Sequence, residues 1–154
     1  MQEIERKFLI TDSSAVLELP SVHVVQGYLL YANDGTARVR IVDGKSAVLS
    51  IKKDITHITR WEFEYDIPVK DAEIMMDKCC NEKIVEKRRC FPKVGGKTWD
   101  VDIFLGMNDG LIIAEIELES EDELFEKPEW LGKEVTGDKR YYNAHLAGHP
   151  YITW

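Results

Sequence analysis

Cysteine is scarce in this sequence: 154 residues contain three, with Cys79 and Cys80 adjacent and Cys90 in another element. That pattern excludes a disulfide framework and a zinc-type Cys-x-x-Cys pair. Histidine is nearly as sparse. His23, His57, His145 and His149 show no paired spacing within a strand, so no zinc site is expected. No apolar run approaches the roughly 20 residues of a membrane span, and no basic segment followed by an apolar stretch opens the chain. A soluble cytoplasmic protein with no membrane partner is expected. Pro- and Gly-rich linkers are absent too, which leaves one domain over residues 1–154, with 44% apolar residues to supply its core.

Positive charge is the minority sign: 20 Lys and Arg against 28 Asp and Glu give a formal net charge of −8. This balance argues against a nucleic-acid surface, because phosphate backbones are held by net positive fields. It leaves room for a buried basic site, since converging lysines and arginines hold a polyanion when a divalent metal neutralises the remaining charge. No P-loop, Gly-x-Gly-x-x-Gly or nucleophile elbow is present. Any phosphate chemistry therefore has to be built from side chains.

What the sequence has in abundance is charge at every second position. EIERK sets Glu3, Glu5 and Lys7 against Ile4, Arg6 and Phe8, the period of a β-strand. VHVVQGYLLY continues as a strand, ANDG and VDGK read as hairpin turns, and TARVRIV between them puts Arg38 and Arg40 on one face. SAVLSIKK then aligns Ser50 with Lys52, and ITRWEFEYDIP aligns Arg60, Glu62 and Glu64 opposite Trp61, Phe63 and Tyr65. After Pro68, VKDAEIMMDKCC has helical spacing. Alternation resumes with Lys87 and Arg89 in KIVEKRRCF, Asp100 and Asp102 in TWDVDIFLG, and Glu115, Glu117 and Glu119 in IIAEIELES. EDELFEKPEWLG reads as helical before turning, and DKRYYNAHLAG as a last short helix ended by Gly148 and Pro150.

Ordinary solvated sheet faces mix Ser, Thr, Asn and Gln with charge, whereas here nearly every strand shows charge. The opposite faces carry Trp61, Phe63 and Trp99, which are predicted to lie in a core. A sheet of about eight strands with its polar faces turned the same way closes into a barrel with a polar lumen. The prediction is a mainly β (α+β) fold, a closed eight-stranded antiparallel β-barrel with a few covering helices. Burying so many charges is costly unless they pair with each other or with a ligand, so the lumen is the expected site. Its candidate carboxylates are Glu3, Glu5, Glu62, Glu64, Asp102, Glu115 and Glu117, and its candidate cations are Lys7, Arg38, Arg40, Lys52, Lys87 and Arg89. Acidic oxygens suit Mg²⁺ or Mn²⁺, and Arg and Lys suit phosphate oxygens; a metal-bound polyphosphate satisfies both.

EIERK is similar to the Glu-x-Glu-x-Lys signature of the CYTH superfamily, the triphosphate tunnel metalloenzymes. The resemblance continues through RVR, SIKK, EFE, EKRR, DVD and EIE in the family's order and ends in EVTGDKRYYNAHLA, so it spans essentially the whole chain. The chain most resembles the short bacterial members. The resemblance implies an eight-stranded tunnel for a linear triphosphate and one or two divalent ions. Glu3 and Glu5 would hold metal with Glu115 and Glu117, with contributions from Asp102 and Glu64, while Lys7, Arg38, Arg40, Lys52, Lys87 and Arg89 would grip phosphate. Lys139 or Arg140, in the closing segment, would reach the phosphates.

Family members include inorganic tripolyphosphatases, thiamine and RNA triphosphatases and class IV adenylate cyclases, and architecture alone does not choose among them. The chain has little length left for a pocket around an organic group. The favoured reaction is therefore hydrolysis of inorganic tripolyphosphate to pyrophosphate and phosphate. A class IV-type adenylate cyclase, a thiamine or nucleoside triphosphatase and a non-catalytic polyphosphate-binding module are the alternatives. Lys87, crowded among cations, is the candidate general base or water positioner, with Tyr28 supplying a hydrogen bond to its amine; the alternative keeps Lys87 charged on phosphate and Tyr28 as a packed aromatic. Asp100, Arg60, Glu62 and Glu119 stand between lumen and exterior. Trp130, Tyr151 and Trp154 are expected to pack outside the barrel or against a partner subunit, with a homodimer as the candidate assembly.

Overall fold

Each charged alternation is a strand in the computed structural model, which describes residues 1–154. In chain order the elements are β1 (Gln2–Ile10), α1 (Ser14–Leu17), β2 (Ser21–Ala32), β3 (Gly35–Val42), β4 (Ser46–Asp54), β5 (Thr59–Ile67), α2 (Val69–Cys79) and β6 (Ile84–Cys90). There follow a small hairpin of β7 (Lys93–Val94) and β8 (Lys97–Thr98), then β9 (Asp100–Phe104), β10 (Ile112–Leu118), β11 (Leu131–Glu134) and α3 (Asn143–Leu146). The main sheet runs β10-β9-β6-β2-β3-β4-β5-β1-β11, and an additional β10–β1 pairing closes eight of these strands into an antiparallel barrel. Strand β1 pairs with β5 over Gln2–Ile4 and with β11 at Phe8 and Ile10, so β11 takes over the seam where β5 leaves it. The tight β3–β4 turn uses Asp43 and Gly44, both at positive φ, as a hairpin of this twist requires.

Three apolar clusters lie around the charged lumen. On the outside, α2 lies over β2, β3 and β4, burying Ala72 against Val39, Ala47 and Cys80. Gly27 permits this approach, because a Cβ there would meet Cys80 Sγ at 2.6 Å. A second outer cluster covers β1, β9 and β10, where Phe8, Trp99, Phe125 and Trp130 meet edge to face with centroids 5.6 to 6.0 Å apart. The third closes one end of the barrel. There the inward positions change from charged to apolar, as Val85, Phe104 and Ile113 succeed Lys87, Asp102 and Glu115 at the period of two, and α3 adds Ala144 and Leu146. No helix is long and apolar enough to cross a membrane.

Two expectations need correction. EDELFEKPEWLG forms no helix; it runs irregularly across the outer face, where Phe125 and Trp130 join the aromatic cluster and Pro128 lacks the N–H a helix interior needs. Packing of these rings outweighs the local helical spacing. Trp61 and Phe63 are not core residues: they are 43% and 46% exposed, because α2 stops short of β5 and nothing else covers its outer face. Trp99, the third aromatic of that set, is fully buried. Trp99→Ala should therefore lower unfolding free energy by about 3–5 kcal/mol and Trp61→Ala by less than about 1 kcal/mol, measured by urea denaturation.

Candidate active site

Strand register decides which charges meet. Lys7 lies opposite Glu115 and Glu5 opposite Glu117 across β1–β10, Glu3 opposite Arg60 across β1–β5, Lys52 opposite Glu62 across β4–β5, and Arg89 opposite Asp102 across β6–β9. Most of these neighbours carry opposite sign, the favourable arrangement for directly opposed residues. The inward faces enclose a cavity of about 360 Å³ lined by Glu3, Glu5, Lys7, Arg38, Arg40, Lys52, Glu62, Glu64, Arg89, Asp100, Glu115 and Glu117. Beyond Lys7, Arg38, Lys52 and Asn143, which line both spaces, lies a chamber of about 70 Å³ bordered also by Tyr28, Tyr31, Asp54, Arg60, Lys139 and Tyr142.

The deepest charges form one network. Lys87 Nζ donates to Asp102 Oδ2 at 2.5 Å and to Asn143 Oδ1 at 3.1 Å, and Arg89 donates to the same carboxylate at 2.6 and 2.7 Å. Lys87 is 1% exposed and Asp102 not at all. Burial pulls the Lys87 amine down to about 8 against the opposing pull of Asp102. For Asp102, burial pushes the carboxyl up, yet Arg89 and Lys87 together hold it well below the carboxylate range. Lys7 bridges Glu5 and Glu115, and although burial pulls it down, those carboxylates hold its ammonium above the lysine range. Lys52 reaches Glu3 at 2.9 Å and Glu62 at 2.8 Å; burial, then Arg38 and Arg60, lower it. Arg60 donates through Nε to Glu3 and forms an ion pair through Nη2 with Glu5 at 2.9 Å.

Negative charge dominates the mouth. Glu117 pairs with no cation there, and burial together with Glu3, Glu5, Asp100 and Glu62 pushes its carboxyl up. Asp100 is likewise pushed up by burial, despite its bond to Arg89. A hard divalent cation relieves this kind of crowding, and the oxygens of Glu3, Glu5, Glu115 and Glu117 have the right chemistry to hold one. The side chains as placed form no ready-made cluster of three or more donors, because Lys7, Lys52 and Arg60 engage these carboxylates.

The structure gathers the candidates of the sequence with some changes of company. Glu3, Glu5, Lys7, Arg38, Arg40, Lys52, Glu64, Arg89, Glu115 and Glu117 line the main cavity, as do Glu62 and Asp100. Lys87 is sealed into the wall behind them, and Asp102, a candidate metal ligand, has both oxygens engaged by Lys87 and Arg89. Tyr28 lines the small chamber but accepts from Gln26 Nε2 at 2.9 Å, so the partners of Lys87 are Asp102 and Asn143. Lys139 borders that chamber, whereas Arg140 pairs with Asp138 on the exterior. Glu119 lies outside, just beyond β10. Two residues gain importance. Arg60 was signalled by its alternation with Glu62 and Glu64, but Asn143, delivered by the first residue of α3, carried no such periodicity.

A CYTH domain is matched over residues 1–142. An inorganic triphosphatase of Acetivibrio thermocellus is 43% identical over 150 residues, covering 97% of this chain and 96% of that protein. An inorganic triphosphatase of Nitrosomonas europaea is 36% identical, covering 96% and 97% of the two chains. The crystal structure of an inorganic triphosphatase superposes with a TM-score of 0.67 at 34% identity over 94% of this chain and 93% of that one.

Removing the shared counter-charge should be severe. Asp102→Asn leaves Lys87 buried without a carboxylate and Arg89 with only Asp100 and Glu115, and is expected to cost about 3–5 kcal/mol of stability, read as the shift in urea midpoint at neutral pH. A cost below about 1 kcal/mol would mean that water, not Asp102, satisfies these cations.

Proposed function

The chain belongs to the CYTH domain family, and on that premise we propose that it hydrolyses inorganic triphosphate to pyrophosphate and phosphate with the help of Mg²⁺ or Mn²⁺. One observation carries this reading: a single closed lumen holds carboxylates at its mouth and Lys7, Arg38, Arg40, Lys52 and Arg89 along its walls. The relatives bearing the name inorganic triphosphatase, matched along nearly their whole length, support it. The three cysteines are free, which suits a reducing cytoplasm.

Glu3, Glu5, Glu115 and Glu117 would hold the metal, with Glu64 at the same mouth. When bound there, such an ion would supply Lewis-acid stabilisation of the phosphate oxygens and a more acidic water. The wall cations donate to the non-bridging oxygens and stabilise the charge that grows on the leaving pyrophosphate as its bond to the terminal phosphorus breaks. The barrel fixes the strands that carry them, and each cation exchanges a carboxylate partner for a phosphate oxygen. We assign to Lys87, in its neutral form, the proton that the attacking water loses; its amine lies behind the cavity wall and has to turn past Asn143, which lines the cavity, to take it. Asp102 and Asn143 fix the position of its amine. Tyr28 shapes the inner end of the same space without touching that amine.

Assay with tripolyphosphate, pyrophosphate, ATP and thiamine triphosphate, each with Mg²⁺ and Mn²⁺, should give phosphate plus pyrophosphate from tripolyphosphate at the highest kcat/KM. Cyclic AMP from ATP as the dominant product would replace this reading with a cyclase. Because the neutral amine is the working form, kcat should rise with pH and level off above about 8. Lys87→Ala should lower kcat by about 10²–10⁴-fold with a much smaller change in KM and should abolish that inflection; equal losses in kcat and affinity would assign Lys87 to phosphate binding instead.

A further inference from the structure

We infer that Arg60 is an exchangeable counter-ion that competes with the divalent metal for Glu3 and Glu5 and, once displaced, turns toward the inner chamber to engage phosphate. The inference rests on the reading that these two glutamates hold metal. Three cations contact the pair, and their other partners differ. Lys7 contacts only Glu5 of the two and Lys52 only Glu3, and Lys52 keeps Glu62 at 2.8 Å if Glu3 turns away. The ion pairs of Arg60 are with Glu3 and Glu5 alone.

That asymmetry singles out Arg60. Its Nε bonds Glu3 and its Nη2 lies against Glu5, and a guanidinium held at these carboxylates repels a divalent cation entering between them. A guanidinium is always charged and cannot escape the conflict by losing its proton. It has to move, and its surroundings offer a direction. Arg60 borders the inner chamber together with Lys7, Arg38, Lys52 and Lys139, and Asp54 lies opposite it in the β4–β5 register on the same wall. An arginine released into that chamber joins Lys7, Arg38, Lys52 and Lys139, an excess of cations over the single carboxylate of Asp54 that suits a polyanion. Metal entry at the mouth would thereby complete the phosphate grip at the inner end. Binding of metal and phosphate would then be coupled through one side chain, and such coupling is reciprocal.

The test measures Mn²⁺ affinity in the absence of phosphate, by calorimetry and by the electron paramagnetic resonance signal of free Mn²⁺, for wild type, Arg60→Gln and Arg40→Gln. Arg40 lines the same cavity but contacts Glu64 rather than Glu3 or Glu5, so its removal reports the general effect of deleting a positive charge. Arg60→Gln should bind Mn²⁺ roughly tenfold more tightly than wild type, within the usual range of coupling between sites, and Arg40→Gln should gain far less. With Mn²⁺ saturating, Arg60→Gln should bind tripolyphosphate more weakly than wild type. Unchanged or weaker Mn²⁺ affinity in Arg60→Gln, or an equal gain in Arg40→Gln, would overturn the inference while leaving the triphosphatase reading intact if wild type turns over substrate. A wild-type protein that binds no Mn²⁺ would overturn both.

Discussion

A charge taken out of water has to be answered by another charge, and the interior of this barrel is organised by that requirement. Lys87, Arg89 and Asp102 are the clearest case, since two cations share one fully buried carboxylate and each charge offsets the desolvation of the other sign. Lys7 between Glu5 and Glu115, and Lys52 between Glu3 and Glu62, repeat the solution on neighbouring strands. Strand register makes it possible, because antiparallel pairing sets the two signs opposite one another around the closed wall.

The pairing is uneven along the tunnel axis, and function follows from the imbalance. At the inner end, apolar Val85, Phe104 and Ile113 with α3 exclude solvent and force Lys87 into a pairing that still leaves its amine easier to deprotonate than a free lysine. At the mouth, Glu117 and Asp100 are pushed up by burial and by their acidic neighbours, an electrostatic excess that favours an incoming cation. Arg38, Arg40 and Lys52, between these ends, can release carboxylates to a metal and accept phosphate in exchange. A metal–triphosphate complex carries both signs in the order the tunnel presents them. The internal ion pairs therefore preorganise the groups that bind it.

Much of this was legible in the sequence because a period of two is a strong constraint. Once Glu3, Glu5 and Lys7 were assigned to one face, the same parity placed Arg38 and Arg40, Glu62 and Glu64, Lys87 and Arg89, and Glu115 and Glu117, and barrel closure brought them together. Parity says which face a residue occupies but not what covers that face. Trp61 and Phe63 were therefore expected in a core, although α2 reaches only as far as β4. Parity is equally silent about partners from outside the sheet, and so Asn143, arriving on α3, took the place beside Lys87 that Tyr28 was expected to fill. The irregular run before Trp130 departs from its helical spacing for a related reason: that spacing is local, whereas Phe125 and Trp130 answer to rings on distant strands.

The central claim is that opposite charges converge inside the barrel to receive a metal and a linear triphosphate in separate zones of one lumen. Anomalous diffraction at the manganese edge, from crystals grown with Mn²⁺ and a non-hydrolysable tripolyphosphate analogue, tests it most directly. The account predicts the manganese peak against the glutamates of β1 and β10 and the phosphate chain running inward along Arg38, Arg40 and Lys52. A manganese peak or phosphate chain seated on the outer surface, with the luminal ion pairs unbroken, would contradict it.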